Sequence, residues 1–179
     1  DFGGMKRERA VAVSIANLGY VGTGIDTTET VRNDWWQYDP ITDVWTQKAN
    51  LPGLARRDAV AFVINGKAYV GTGMDNADAL LGNPLSDFWR YDPLLNSWTS
   101  IASYPAGGNM GVYLSTAFVL DDKAYMVCGK RGGNFYLDEV WEYKPIYNSW
   151  TQRSDFPGGP RYQMSSFVVA DKAYVGLGA

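Results

Sequence analysis

The sequence predicts an all-β repeat protein, built from short antiparallel strands that return in the same order along the chain. Three observations lead to this fold class. Apolar and aromatic residues occur in short runs, without the sustained 3.6-residue periodicity of helices. Gly, Pro, Asn and Asp separate these runs at short intervals, as in proteins made of hairpins. The same tyrosine- and tryptophan-containing segments return with a period close to 50 residues, which indicates a repeat architecture.

The composition is that of a folded protein with many turns. Of the 179 residues, 46% are hydrophobic and 20% charged, while 20 glycines and 15% aromatic residues suggest tight turns between strands with bulky side chains. The net charge is −3 and the basic residues are scattered, so we expect no nucleic-acid partner and no binding to an anionic membrane. No apolar run approaches the roughly 20 residues that span a bilayer.

Two features of the sequence limit its chemistry. It has no histidine, which removes the usual copper and zinc sites and the Ser-His-Asp and Cys-His mechanisms within these residues. A single cysteine, Cys128, allows no internal disulfide. We therefore expect no metal and no cofactor. Because the sequence begins with Asp1 and not Met, we expect a processed or excised chain. We also expect an extracytoplasmic location, periplasmic or at the cell surface.

The stretch from Asp34 to Gly73 shows the pattern that repeats. Asn65-Gly66 stands between two apolar runs and is the strongest short-range signal for a β-hairpin. Asp39-Pro40 and Pro52-Gly53 mark further turns, because Pro fixes φ and Gly allows positive φ. The four predicted strands are 34–38, 44–48, 59–64 and 67–73.

Three markers recur in constant order. A Tyr-Val-Gly-Thr-Gly segment occurs twice and has two looser copies, with their tyrosines 49, 56 and 49 residues apart. A Trp-x-Tyr-x-Pro segment follows. After it come a second Trp, which directly precedes a Thr, and then a proline-containing segment that ends the strand. The strand tyrosines are Tyr20, Tyr69, Tyr125 and Tyr174, and the tryptophan pairs are Trp36/Trp45, Trp89/Trp98 and Trp141/Trp150.

This combination resembles the kelch family, whose motif is a glycine doublet that ends one strand, a Tyr in the next strand and a Trp shortly after. The resemblance covers the whole chain as one repeat array over 1–179, with repeat junctions at 24–73, 73–129 and 129–178. The second glycine is kept in every copy, while Thr, Cys or Leu replaces the first, as in divergent, bacterial-type kelch repeats. The retained glycines are Gly24, Gly73, Gly129 and Gly178, and the replacements are Thr23, Thr72, Cys128 and Leu177.

The resemblance implies a kelch-type β-propeller in which each repeat forms one four-stranded blade. A single sheet of this length cannot bury its own faces, so blades must stack and the repeated aromatics must lie between them. We name the strands of a blade a to d from the central channel outward. The sequence contains four a–b hairpins but three c–d pairs, or about three and a half blades, which we expect to be part of a larger six- or seven-bladed ring. Self-association of two copies and an open array with exposed edges are the alternatives.

The topology separates short turns from long loops. An antiparallel meander places the a–b and c–d turns on one face, here called the turn face, and the b–c and d–a loops on the other, here called the loop face. Variable loops on a rigid scaffold are where binding usually occurs, so we expect the functional site on the loop face. The b–c loops are predicted at 25–33, 74–86 and 130–138, and the d–a loops at 51–58, 104–114 and 156–163.

An arginine recurs on this face, thirteen residues before the strand-b tyrosine. Three of the four copies have it and the other has Val112, so the arginines could form a cationic rim for a carboxylate or an acidic partner. The alternative is structural, with each Arg bonded to backbone carbonyls or nearby acids. Five polar neighbours could complete a pocket. The candidate ligand-binding residues are Arg7, Arg56, Arg57, Asn109, Arg131, Asn134, Arg161 and Tyr162.

The function that the sequence favours is a binding or interaction module that uses the loop face to contact a protein or a glycan, because no catalytic constellation is present. The alternative is a carbohydrate-active enzyme similar to bacterial kelch sialic-acid mutarotases. This resemblance implies that the protein would isomerise a sugar by metal-free acid/base chemistry. A third hypothesis is a purely structural repeat within a larger cell-surface protein.

Overall fold

The computed structural model describes residues 1–105, 110–133 and 135–179. Within these ranges the chain forms three four-stranded antiparallel sheets, one separate hairpin and one short two-stranded ribbon. The described residues contain no helix that is long and apolar enough to cross a membrane.

Each complete sheet is a meander of consecutive strands, and each is one blade. Blade 1 contains β2 (Val11–Ile15), β3 (Leu18–Gly22), β5 (Trp35–Asp39) and β6 (Val44–Lys48). Blade 2 contains β7 (Val60–Ile64), β8 (Lys67–Gly71), β9 (Phe88–Asp92) and β10 (Ser97–Ile101). Blade 3 contains β11 (Thr116–Leu120), β12 (Lys123–Arg131), β13 (Phe135–Lys144) and β14 (Ser149–Gln152). The final hairpin is β15 (Ser165–Val169) with β16 (Lys172–Gly176), and the short ribbon is β1 (Arg7–Glu8) with β4 (Ile25–Asp26).

This architecture confirms the predicted all-β fold, with three complete blades followed by the a–b hairpin of a fourth. The strands predicted in 34–73 lie within two residues of their observed bounds. Asn65 and Gly66 both have positive φ, 50° and 71°, as a two-residue hairpin turn of this kind requires. The innermost strands β2, β7, β11 and β15 pack side by side and line a channel of about 340 Å³.

The prediction of an irregular loop at 130–138 was wrong. Strands β12 and β13 continue past the edge of blade 3, and Lys130 pairs with Tyr136 and Arg131 with Phe135. A bulge between Val127 and Gly129 shifts the register at the point where the hairpin leaves the blade. Gly133 closes the hairpin with a φ of 66°, and the Gly-Gly pair in this segment was the available signal for it.

Aromatic side chains fill the space between blades, as the sequence predicts. Between blades 1 and 2, Trp35 packs against Tyr20, Tyr91 and Trp98, with ring centroids 5.4–5.9 Å apart. Trp98 also donates its indole N–H to the carbonyl of Ala49 in the preceding blade, at 2.7 Å. Aromatic packing and a specific hydrogen bond therefore act together to fix how blade 2 docks on blade 1.

A backbone contact between blades explains the motif glycines. Gly73 has a φ of 96° and donates its N–H to the carbonyl of Val112 in the next blade, at 2.8 Å. The residue before it, Thr72, has a φ of 59°, so the family's first glycine position keeps its left-handed conformation although Thr replaces Gly. The same pair of positive φ angles occurs at Thr23-Gly24 and Cys128-Gly129.

We expect Gly73→Ala to lower the free energy of unfolding by about 2 kcal/mol or more, the range for a residue forced into a conformation that it rarely adopts. A Cβ at Gly73 would lie 2.7 Å from the carbonyl oxygen of Arg57, in addition to the cost of the positive φ. Gly66→Ala is the matched control, because its φ is also positive but nothing lies within 4 Å of the added Cβ. Denaturant melts should show a clearly larger loss in the free energy of unfolding for Gly73→Ala than for Gly66→Ala. Equal losses would contradict a steric clash at Gly73.

Candidate functional site

The recurrent arginine of the loop face forms a partly buried ion pair within its blade. In blade 2 the Arg56 guanidinium donates to both carboxylate oxygens of Asp87, at 2.8 and 2.7 Å, and Arg56 is fully buried. The indole N–H of Trp89 donates to the same carboxylate at 2.6 Å. Arg56 also donates to the carbonyl of Thr72, so it ties the d–a loop to strands b and c. We call this arrangement the Arg–acid–Trp unit.

Blades 1 and 3 contain the same unit. In blade 1, Arg7 is bidentate to Asp34 and Trp36 donates to that carboxylate at 2.7 Å. In blade 3 the recurrent position is Val112, but Arg131 reaches Glu139 from the extended strand β12, at 3.0 Å. The indole of Trp141 completes the unit by donating to Glu139 at 2.9 Å. A guanidinium from another strand, together with a longer acid, thus replaces the missing arginine.

The carboxylates of Asp87 and Asp34 are held in their charged form. Burial disfavours the charged form of Asp87, but hydrogen bonds from Arg56 and Trp89 outweigh burial and hold the pKa of Asp87 below its usual range. Asp34 shows the same balance of burial against the hydrogen bonds from Arg7 and Trp36, and its pKa is also lowered. Arg7, Arg56 and Arg131 therefore stabilise the scaffold; their part in ligand binding stays a prediction.

The lowered pKa of Asp87 predicts an acid-labile contribution to stability. Because the pKa is lower in the folded state than the ordinary value of 3.8, the contribution is complete above pH 3.8 and is lost as the pH falls through the lower folded-state pKa. We expect Asp87→Asn to be less stable than the parent near neutral pH and to lose less stability between pH 5 and pH 2. Urea melts across this range measure the free energy of unfolding of both proteins at each pH. If the two free energies fell in parallel as the pH decreased, the prediction would be contradicted.

Arg57 is also buried, at the mouth of the channel. It pairs with Asp58 and donates to the carbonyl of Asn76 at 2.8 Å. Burial raises the pKa of Asp58 even though Arg57 and Arg9 both favour its charged form. The side chain of Arg9 is half-exposed and lies 3.5 Å from the Asp58 carboxylate. Arg9 and Asp58 thus place a cation and a titratable acid where the loop face meets the channel.

A chain of backbone hydrogen bonds surrounds this mouth. Asp58 donates its N–H to the carbonyl of Arg9, Leu114 donates to Asp58, and Gln163 donates to Leu114, at 2.9–3.1 Å. All four residues have positive φ, between 54° and 59°. The entry to each innermost strand is therefore fixed to the next one, and the mouth is a rigid rim.

The remaining predicted site residues lie near the last hairpin or outside the described ranges. Arg161 donates to the carbonyl oxygens of Leu177 and Gly158, and its guanidinium lies 5.6 Å from the Phe156 ring. Tyr162 stacks on Tyr136 with ring centroids 5.2 Å apart. The structure does not bring Arg161 together with the cations of blades 1 and 2. The two asparagines outside the described residues are Asn109 and Asn134.

A cavity of about 740 Å³ opens on the loop face beside Arg9. Three segments form its walls: the chain before β2, the b–c loop of blade 1 and the b–c loop of blade 2. Its volume is within the range of small-molecule sites. The lining residues are Lys6, Arg7, Glu8, Arg9, Ile25, Asp26, Thr27, Glu29, Asn76, Ala77 and Asp78.

The cavity is polar and carries charges of both signs. Asp26 is neutralised by Arg32 and accepts hydrogen bonds from the side chain and backbone of Thr28, and its pKa is held below the usual range, chiefly by the Thr28 hydroxyl. Lys6 and Glu29 are exposed in the wall, and Asn76 lies opposite them in the second loop. The described residues contain no group of three or more side chains arranged to hold a metal ion. Exposed charges of both signs in the wall suit a polar ligand.

Sequence reasoning missed the main residues of this cavity. Lys6, Glu29 and Asn76 occur once each, in loops of different length, and do not recur with the repeat period. The available signal was the Met74–Ser86 loop, the longest predicted b–c loop. The recurrent arginines lie on the same face as the cavity, where Arg7 lines it and Arg56 is buried.

Comparisons with known proteins agree with the repeat pattern. The kelch motif matches residues 55–103. An F-box/kelch-repeat protein of Arabidopsis thaliana is 32% identical over 90 residues, which is 49% of this chain and 18% of the plant protein. The solved structure of YjhT matches with a TM-score of 0.79 and 21% identity, covering 95% of this chain and 58% of that one.

The chain thus spans 18% of the length of the plant protein and 58% of the solved chain that it matches. The similarity to YjhT supports the fold, and the similarity to the plant protein and the motif match support the repeat family. Together with the Gly, Tyr and Trp markers in the blades, these findings show a chain with the fold of a kelch β-propeller that contains a kelch motif at 55–103.

Proposed function

We propose that the chain is a non-catalytic binding module, which holds a polar, hydroxyl-rich ligand of sugar size in the loop-face cavity. The observation that carries the proposal is the cavity itself, about 740 Å³ bounded by three loop segments with exposed charges of both signs. Hydroxyl groups can donate to Glu29 or Asp78 and accept from Lys6 or Arg9 at the same time. A rigid rim beneath the cavity favours binding, because little of the wall must be ordered when a ligand enters.

The three Arg–acid–Trp units support this placement of the ligand. Their guanidinium groups already have carboxylate partners, so a ligand acid would have to displace a bidentate ion pair to reach Arg56. Lys6 is exposed in the cavity wall, and Arg9 is half-exposed with longer contacts to Glu8 and Asp58, at 3.3 and 3.5 Å. The cavity cations are therefore the ones that a ligand can engage at lower cost.

Saturation-transfer NMR with N-acetylglucosamine, glucuronic acid and N-acetylneuraminic acid tests the proposal. We expect at least one of these sugars to bind, and Asn76→Ala to weaken its binding about ten-fold by removing one polar wall group. Asn17→Ala is the matched control, since Asn17 is exposed in a turn on the opposite face. Failure of all three sugars to bind, or equal weakening by both variants, would contradict the cavity as the site.

The same samples separate binding from sugar isomerisation. An acid/base function would draw on Asp58, the acid at the channel mouth whose pKa burial raises. We expect the rate of exchange between anomers, measured by NMR, to be the same with and without the protein. An acceleration that Asp58→Asn abolishes would overturn the non-catalytic proposal.

A further inference from the structure

A cluster of tyrosines around Lys130 lies on the loop face at the junction of blade 3 and the last hairpin. The Lys130 ammonium is 6.0 Å from the ring centroid of Tyr113, 5.4 Å from that of Tyr136 and 5.7 Å from that of Tyr162. Tyr136 and Tyr162 stack with an interplanar angle of 14°. We call these four residues the Lys130 cluster.

The extended hairpin of blade 3 builds this cluster. Tyr113, Lys130 and Tyr136 are cross-strand neighbours, because Lys130 bonds through its backbone to Tyr113 on one side and pairs with Tyr136 on the other. Neighbours of this kind project from the same face of a sheet. Blades 1 and 2 have no such extension, since their b strands end at Gly22 and Gly71.

Lys130 differs from the arginines of the loop face in its charge balance. Arg7, Arg56 and Arg131 each have a carboxylate partner. Lys130 has none among the described residues, and the residues outside the described ranges, 106–109 and 134, include no acid. The ammonium lies over the rings of three tyrosines, whose negative faces attract a cation. Its positive charge is therefore available to an acidic ligand.

Exposed aromatic surface lies beside this charge. Phe135 is 70% exposed and Tyr136 is 40% exposed, at the end of the extended hairpin. Tyr136 is held by its stack on Tyr162, so its exposed part is a preorganised contact surface. An unpaired cation next to a fixed apolar surface complements a ligand that carries a carboxylate beside an apolar side chain.

We propose that the Lys130 cluster binds an acidic peptide segment, with a Glu or Asp carboxylate at Lys130 and a neighbouring apolar side chain against Phe135 and Tyr136. Phe135 and Tyr136 form the exposed part of this surface at the end of a hairpin, which suits an extended polymer. This inference goes beyond the proposed function, because the cluster is formed by blade 3 and the last hairpin, while the cavity is formed by blades 1 and 2.

The test compares two capped peptides, Gly-Glu-Leu-Glu-Gly and Gly-Gln-Leu-Gln-Gly, by chemical-shift titration of the full chain. They differ in charge and not in shape. We expect the acidic peptide to bind about three- to five-fold more tightly at low salt, as for one exposed charge pair, and the preference to shrink as salt is added. Tyr136→Ala should weaken both peptides, because it removes the apolar contact that they share.

Variants at Lys130 decide whether the preference arises there. Lys130→Met should abolish the preference, Lys130→Arg should restore it, and Lys172→Met, an exposed lysine on the turn face, should leave it unchanged. Equal binding of the two peptides by the parent, or a preference that survives Lys130→Met, would overturn the inference. Sugar binding in the cavity, scored separately through Asn76→Ala, would remain interpretable in either case.

Discussion

Replacing Arg56 by alanine is expected to lower the free energy of unfolding by about 3 kcal/mol, the lower end of the range for breaking a buried ion pair, because the Asp87 side chain is 34% exposed. Arg56 is fully buried, and its removal strands the Asp87 carboxylate and the Thr72 carbonyl that it contacts. Since domains of this size are stable by about 5–15 kcal/mol, this is a large share of the total. Guanidinium chloride melts followed by tryptophan fluorescence measure it.

Two controls define the origin of this loss. Arg9→Ala should cost less than about 1 kcal/mol, because Arg9 is half-exposed and its ion pairs are screened by water. The double variant Arg56→Ala, Asp87→Ala should be more stable than the sum of the two single effects predicts, because the pair is removed as a unit. Additive effects at these two positions would show that the ion pair does not couple them.

Replacing Trp35 by alanine is expected to cost about 3–5 kcal/mol as well, through the cavity that it leaves between blades 1 and 2. Trp35 is buried and contacts rings from both blades, including Tyr20 and Tyr91. Its indole N–H is buried without a hydrogen-bond partner among the described residues. Trp35→Phe should therefore lose much less than Trp35→Ala, since it keeps a ring and removes an unsatisfied donor.

Trp45→Ala is the matched control for this prediction. Trp45 is only partly buried, and it contacts Phe2 and Tyr38 at the outer face of blade 1. We expect it to cost clearly less than Trp35→Ala in chemical melts. The sequence suggests Trp45, Trp98 and Trp150 as the main packing residues, but all three are half-buried, and Trp35 at the start of β5 is the fully buried indole. A larger loss for Trp45→Ala would contradict this ranking.

Most of the fold could be predicted from the sequence, because its signals are local and repeat. Asn65-Gly66 fixes a hairpin through backbone geometry alone, and the regular return of Tyr and Trp requires that blades stack. The extended hairpin of blade 3 was missed, since a glycine pair in a polar segment suits a loop as well as a hairpin turn. The pairing of Lys130 with Tyr136 depends on contacts that sequence spacing does not show.

The site was predicted less well, for a physical reason. The recurrence of Arg, acid and Trp indicated a shared role, but the sequence does not show that Arg56 and Asp87, 31 residues apart, form one bidentate pair. Blade 3 has Val112 at the position of the recurrent arginine, and the sequence does not show that Arg131 supplies the guanidinium from another strand. Binding residues in loops do not recur, so a repeat analysis finds scaffold residues first.

The central claim is that the loop face binds ligand in the cavity between blades 1 and 2, while its recurrent arginines hold the scaffold. Amide chemical-shift mapping with the tightest-binding of the three sugars tests it most directly. We expect perturbed amides at Lys6–Arg9, Ile25–Thr27 and Asn76–Asp78, with the turn-face pair Asn65-Gly66 unchanged. Perturbation centred on the turn face, or on the last hairpin with the cavity amides unchanged, would contradict it.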